Sequence, residues 1–458
     1  MTTRHVVVVG AGSCGCVVAE RLSRVDDVVV TLIEAGRDRP GDEDLRRDRL
    51  PVGPDAPRVR RHSTVDGLDL VRGRGVGGSS VVNGGYFLRG HRTDLDGWDR
   101  RWWDADTVER FHRTLDGGGT GGVMSVRRVD DADLHPRAVA FENHWEALGY
   151  DVVDAVWPTV GINRIRMNAD AAARVSADRA FLTDAVRARS SLRIVADTTV
   201  DEVVLSGGVA RGVRAGGDTL AADEVILCAG TLASAALLAR SDGWSTSTFP
   251  LSEHREILLR YRDRSGVPGG AAGVPLLPTV LHTEDGVEIR CYNSDFADHI
   301  DGVPRSGPAV GVAGMVPGAS GHLTMDAGGT VTLDVGGTQV ATDAMRRWSH
   351  RVVDMLESSD HADLVEAGSV SIDPVLATSH HAWGTLPMGA ATDALGGVIG
   401  VEGLRVVDGS ILPTALSSGP HATTMMMAAR IAEAISGPDS TRPAIPGRGP
   451  GGGGIVGS

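Results

Sequence analysis

The chain has 458 residues, a net charge of -14 and a hydrophobic fraction of 41 %. This length suits two domains with cores of their own, and an acidic balance without a basic patch argues against nucleic acid as a partner. The sequence contains no lysine, which rules out a P-loop lysine and a lysine Schiff base. The four cysteines, Cys14, Cys16, Cys228 and Cys291, match no zinc spacing. Cys14 and Cys16 read as small apolar filler in a glycine turn, a redox pair being the weaker alternative. No apolar run approaches the roughly 18 to 20 residues that cross a bilayer. The first residues lead straight into a strand and read as mature protein, not as a signal peptide. A cytoplasmic location follows, either free or peripheral to a membrane.

Val6 to Val9 is a short β-branched run that suits a buried parallel strand. Gly10, Gly12 and Gly15 follow, and Val17 to Leu22 opens a helix. Val28 to Ile33 is a second buried strand and ends at Glu34. Residues 37 to 70 are charged and proline-rich and read as a long irregular excursion. Gly73 to Gly90 is a second glycine-rich stretch. Residues 98 to 115 predict a helix or two with Trp98, Trp102 and Trp103, then 117 to 122 a loop, then 137 to 150 a helix.

Residues 176 to 189 predict another helix, with Ser176 as its cap. Short strands follow at Ile194 and Val195, Val200 to Leu205 and Ala210 to Arg214, the last two around a Ser206-Gly207-Gly208 turn. Val225 to Leu227 is a buried strand closed by Ala229-Gly230, with a helix from Leu232 to Arg240. Residues 241 to 370 hold short strands such as Glu256 to Tyr261 and Val331 to Val335, and one helix over 343 to 357. Leu404 to Val407 is a strand ending at Asp408, and Thr424 to Ile435 is a helix. Residues 437 to 458, rich in proline and glycine, predict a disordered tail.

Three constellations carry chemistry. Gly10-x-Gly12-x-x-Gly15 between a strand and a helix, with an acid closing the next strand, is a dinucleotide fingerprint. The helix start would hold a pyrophosphate, and Glu34 would take a ribose diol, which suits FAD or NAD and disfavours NADP. The run from Arg72 to Ser80, with Asn83-Gly84-Gly85 behind it, lets the main chain press on a flat ligand. Such a covering loop suits FAD, which is longer than NAD. The third group lies near the C-terminus. His380 and His381 precede Gly384, Asp408-Gly409 ends a strand, and Pro420-His421 opens the last helix. That helix start would stabilise negative charge on a reduced flavin, and histidine is the natural base near neutral pH.

With these motifs in this order, the sequence resembles the glucose–methanol–choline (GMC) oxidoreductases. The resemblance rests on GAGSCGCVVAERLS with the later LIEAG, on GRGVGGSSVVNGGYFLRG at 73–90, on HAWGTLPMG at 381–389 and on the stretch from 403 to 435. It implies that Gly10, Gly12, Ser13, Gly15, Glu34 and Ala35 hold the adenosine diphosphate half of FAD, with Val200 on the adenine side. It implies that Arg74, Gly77, Gly78, Ser79, Asn83 and Gly84 line the pyrophosphate and flavin, and that Asp408 and Gly409 lie beside the ribityl chain. Ala229, Gly230 and Thr423 complete the cofactor set. His381 falls on the family's principal catalytic histidine and His421 on its second position. No metal is expected. The stretch from Ser234 to Trp244 departs from the family's second signature.

The resemblance implies an α/β fold, an FAD-binding Rossmann-like domain with a second, sheet-containing (α+β) substrate domain. Residues 1–115, 176–245 and 376–436 would form the first, and 116–175 and 246–375 the second. The implied activity is hydride transfer from a CH–OH donor to flavin N5. The short substrate domain and the wording NGGYFLRG resemble the mycofactocin-associated subgroup, with reduced mycofactocin as donor and a quinone or the respiratory chain as acceptor. An oxygen-using alcohol oxidase that makes peroxide is the alternative.

Overall fold

The computed structural model describes residues 3–119, 122–170, 173–264, 275–316, 321–336 and 339–436. The tail expected over 437–458 and part of the loop expected over 117–122 lie outside the described residues.

Five parallel strands form the first sheet. Their order is Leu404–Val406, Glu224–Leu227, Arg4–Val9, Val28–Ile33 and Leu192–Val195. Val6, Val7, Val8, Val30, Leu32, Val225, Ile226 and Leu227 are nearly or wholly shielded from water, as a central parallel sheet requires. Helices Ser13–Leu22 and His421–Ser436 pack against each other beside it. Because the strands are parallel, their C-terminal ends share one edge. That edge gathers Gly10, Glu34, Cys228 and Asp408, which are far apart in the chain. Ligands of open α/β sheets bind at this edge.

The second sheet is larger and almost wholly antiparallel. Its path runs Ser371–Ile372, Arg255–Arg260, Ala309–Gly314, Val287–Cys291, Thr279–His282, Gly161–Arg164 and Val152–Val153, with Ala377–Thr378 also paired to Arg255–Arg260. Helices Pro136–Ala147 and Gln339–Leu356 cover one face. Phe141, Trp145, Ile162, Leu259, Ile289, Val312 and Val352 form the core between them. The fold is therefore α/β, a Rossmann-like region with a second sheet-containing domain. A three-stranded sheet of Thr248–Leu251, Gly321–Met325 and Val331–Asp334 sends Phe249, Leu251, Leu323 and Leu333 into the first core.

Three local expectations need correction. The stretch 37 to 70 is not irregular throughout, since Val59–Ser63 pairs with Asp69–Gly73 as a hairpin. Its strands are charged and show no apolar alternation, yet Asp66-Gly67 turns the chain, with Gly67 at φ 79°. The helix expected over 176 to 189 is two helices, Ala177–Phe181 and Asp184–Arg187. The Ser176 hydroxyl donates to Asp178 Oδ1 instead of capping backbone, and the Thr183 side chain accepts from Val186 N–H and starts the second helix. The tryptophans precede the helix Ala105–Asp116, whose Asp104 side chain accepts from Thr107 N–H at 3.0 Å. The last helix begins at His421, as expected of Pro420-His421, three residues before the apolar run from Thr424.

Close contact between the first strand's turn and the first helix holds the fingerprint together. A Cβ on Gly15 would stand 1.9 Å from the Gly10 carbonyl oxygen. Gly15→Ala should therefore cost about 1–3 kcal/mol of stability, read as a lower urea midpoint; an unchanged midpoint would show that the helix can retreat from the strand.

Candidate functional site

A cavity of about 550 Å³ opens along the C-terminal edge of the parallel sheet. Its walls come from the fingerprint turn, the second glycine loop, the turns after Leu227 and Val407, the start of the last helix and one edge of the larger sheet. At one end stand Glu34, Ala35, Arg74 and Val200, and at the other His381 and His421.

The Glu34 end is tied to three backbone segments. Glu34 Oε2 accepts from Ala11 N–H at 2.9 Å, and Oε1 accepts from Gly36 N–H at 2.9 Å and Gly75 N–H at 3.0 Å. A carboxylate has about four acceptor sites, so one remains for a ligand. Arg74 Nη2 donates to the Ala35 carbonyl at 3.0 Å. The second loop crosses the first at Gly78, whose φ is 54° and whose Cβ would lie 2.6 Å from Gly12 Cα. A Cβ at Gly12 itself would meet nothing closer than 3.9 Å, because that side faces the cavity. The start of helix Ser13–Leu22 lies there, with N–H groups suited to an anion.

The middle of the cavity is held by Asp408. Its carboxylate accepts from Gly230 N–H at 2.9 Å, Ser234 Oγ at 2.6 Å and Ser410 N–H at 2.8 Å. This one group joins the turn after Leu227 to the turn carrying Gly409. Burial raises its pKa despite those donors. Ser79 Oγ accepts from Gly73 N–H at 3.0 Å and closes the second loop on itself.

At the far end His421 is oriented by a fixed amide. Asn83 Oδ1 accepts from Gly85 N–H at 2.9 Å and from Arg174 Nη1 at 2.9 Å, so its NH₂ faces His421 Nδ1 at 3.2 Å. The imidazole then carries its proton on Nε2, which lies 3.1 Å from Ser13 Oγ. His381 Nδ1 lies 3.0 Å from His254 Nδ1, and its backbone N–H donates to Glu253 Oε1 at 2.7 Å. Burial pushes His421 down to about 4. Burial, then His254 and Arg290, hold His381 well below its ordinary value. Both rings are neutral near pH 7.

The structure brings most of the expected residues to this one cavity. Gly10, Gly12, Ser13, Glu34, Ala35, Arg74, Gly78, Ser79, Asn83, Gly84, Val200, Ala229, Gly230, Asp408, Gly409, His381 and His421 all line it. Gly15, Gly77 and Thr423 do not. Gly15 packs on Gly10, Gly77 N–H donates to the Ala11 carbonyl, and Thr423 Oγ1 accepts from Gly90 N–H behind the wall. Cys14 and Cys228 also line the cavity, yet all four cysteines are free and buried. Burial pushes the Cys14 and Cys16 thiols up, which makes them poor redox groups. Among the described residues no cluster could hold a metal ion.

Sequence reasoning missed Arg174, His254, Tyr86, Glu288 and Arg290. Arg174 and His254 sit outside any glycine motif. Glu288 and Arg290 had a signal, two opposite charges on one face of a strand whose five residues are all buried. The donor set and the open side of Gly12 fit the diphosphate of a dinucleotide.

Two family models, both described as GMC oxidoreductase, match residues 5–245 and 319–428. The chain is also 32 % identical to an uncharacterized GMC-type oxidoreductase of Rhodococcus erythropolis, over 94 % of this chain and 98 % of that one. The chain belongs to the GMC oxidoreductase family. As a GMC oxidoreductase it is an FAD-dependent oxidoreductase of CH–OH groups. It is 29 % identical to pyridoxine 4-oxidase of Microbacterium luteolum, over 93 % of this chain and 98 % of that one. The fold is similar to the crystal structure of pyridoxine 4-oxidase from Mesorbium loti, with a TM-score of 0.83, 23 % identity, and coverage of 94 % of this chain and 99 % of that one. No helix among the described residues is long and apolar enough to cross a membrane.

Two outcomes are expected of this GMC site. Asp408→Ala strands three donors, so it should cost at least about 1–3 kcal/mol, measured by urea unfolding, and lower the bound flavin per chain. The depressed histidines set a pH dependence. An unfolded histidine binds its proton near pH 6.5, whereas His421 in the folded chain waits until about 4. The unfolded state therefore binds more protons in between. The thermal midpoint should fall as pH drops through that window, and less so in His421→Gln.

Proposed function

We propose that the protein is an FAD-dependent dehydrogenase that takes hydride from a CH–OH donor, with His381 and His421 at the reacting end of the cavity. The observation that carries this reading is the meeting of His381, His421, Asn83 and Ser13 at one end of a cavity whose other end is a dinucleotide cradle. When bound, FAD supplies the hydride acceptor, flavin N5. Glu34, Gly12, Ser13, Gly78, Ser79 and Asp408 hold the cofactor. A proton on His381 Nδ1, donated to His254, leaves Nε2 free to take the carbinol proton. His421, protonated on Nε2, donates to Ser13 Oγ, which leaves the Ser13 hydroxyl hydrogen for the cofactor. The low affinity of both rings for protons keeps them neutral and ready. A positioned base contributes about 10²- to 10⁴-fold, and holding donor and acceptor together contributes more.

The wording NGGYFLRG and the short second domain support reduced mycofactocin as the donor, with electrons passing to a quinone or the respiratory chain. The similarity to a protein named pyridoxine 4-oxidase favours a second reading, an alcohol oxidase that uses oxygen and makes peroxide. A peroxide assay separates the two.

His381→Ala should slow anaerobic flavin reduction by about 10²-fold or more while the bound flavin is retained. Rapid-mixing absorbance reads the rate, first with reduced mycofactocin and then with simple alcohols. Reduction at the unmodified rate would remove His381 from the reaction.

A further inference from the structure

A line of protonatable groups leads away from the cavity, and the reading above leaves it unused. Tyr86 lines the cavity beside His381. A Cβ on Gly419 would stand 3.3 Å from Tyr86 Cε1 and 3.4 Å from His381 Nε2. The Tyr86 hydroxyl donates to Glu288 Oε2 at 2.9 Å. The same oxygen lies 2.9 Å from His282 Nε2, and His282 Nδ1 lies 2.7 Å from His91 Nε2. Glu288 and His282 are 1 % and 2 % exposed. His91, at the outer end, is half-buried.

One charge sets the direction of the two bonds made to Glu288 Oε2. Glu288 Oε1 accepts from Arg290 Nε at 2.7 Å. Burial would raise this carboxyl, but Arg290 and the His282 hydrogen bond outweigh it and hold it well below the usual carboxylate range. An ionised carboxylate only accepts, so Tyr86 and His282 both donate to it. His282, with a proton on Nε2, faces His91 Nε2 with its Nδ1 at 2.7 Å, so that bond can pass a proton between the two rings. A satisfied buried ion pair needs only Arg290 and one or two further donors. It does not need a chain of donors that reaches from a cavity to a half-buried imidazole.

We propose that His91, His282, Glu288 and Tyr86 form a proton line that delivers a proton into the cavity when the electron acceptor is reduced. This rests on the oxidoreductase reading above. Oxidation of an alcohol to a carbonyl gives up one hydride and one proton. Reduction of a quinone to a quinol, or of dioxygen to peroxide, takes the two electrons and proton of that hydride and one further proton. The further proton enters at His91 Nδ1. The His91 Nε2 proton passes to His282 Nδ1, and the His282 Nε2 proton passes to Glu288 Oε2. The Tyr86 hydroxyl then turns its own proton from Glu288 Oε2 toward the cavity, neutral Glu288 donates to the freed lone pair of Tyr86 Oη, and as the Tyr86 proton leaves for the cavity the Glu288 proton takes its place. One proton has entered and one has left, and both imidazoles have changed tautomer. The next alcohol's proton, passing outward along the same bonds, restores them.

The test uses the flavin-loaded protein reduced with dithionite, so no alcohol substrate is needed. It is mixed with benzoquinone in weakly buffered solution containing a pH indicator. Wild-type protein should take up its proton and oxidise its flavin together. His91→Phe should slow both by at least about tenfold, and added imidazole should restore them. Glu288→Gln should slow both without rescue by imidazole. A second readout needs no turnover, since ¹⁵N NMR of the resting protein should show His282 protonated on Nε2. Unchanged uptake and oxidation in His91→Phe, or His282 protonated on Nδ1 alone, overturns the proposal. A chain that binds no flavin defeats the oxidoreductase reading instead and is recognised by its absorbance spectrum, while the NMR result still judges the line.

Discussion

The cofactor half of this fold depends on one carboxylate. Glu34 collects N–H donors from Ala11, Gly36 and Gly75. These belong to the turn after the first strand, the end of the second strand and the second glycine loop. A buried donor left without an acceptor costs about 1–3 kcal/mol. Moving any one of these segments away therefore leaves its own N–H without an acceptor. The crossing of Gly78 over Gly12 is possible only because both loops are held at this distance. The result is a cradle whose three segments meet at one side chain.

The reacting end follows a different logic. There the walls are buried polar groups that hold each other in place. Asn83 is oriented by Arg174 and a backbone N–H, and in turn orients His421. His381 leans on His254 and Glu253. In low dielectric such networks are strong when every member is satisfied and costly when one is missing. His254 Nε2 has no partner among the described residues.

The larger sheet contributes more than a lid. Its strand Val287–Cys291 is buried along its whole length, yet it carries Glu288 and Arg290 toward the cavity. Arg290 pairs with Glu288 and with Glu256 on a strand two places away. Charges so deep are rarely favourable for stability alone. Here each is paired, and the pairs stand at the cavity wall.

Local sequence alone determined the parallel strands, the fingerprint turn and the acid that closes the second strand. Each carries a local signal, because β-branched runs bounded by glycines favour extended chain, although their partners are distant. It also marked His381 and His421 by their glycine-rich surroundings. The hairpin at 59–73 was hidden because its strands are charged, and the split at Thr183 because two short helices share one apolar periodicity. Only the tertiary structure decided that Gly15, Gly77 and Thr423 support the wall instead of lining it, because a turn of chain can face either way. Only the tertiary structure brought Arg174 to Asn83, His254 to His381 and Glu288 to Tyr86. These partners lie 91, 127 and 202 residues apart, and no local pattern encodes a contact made by the packing of two sheets.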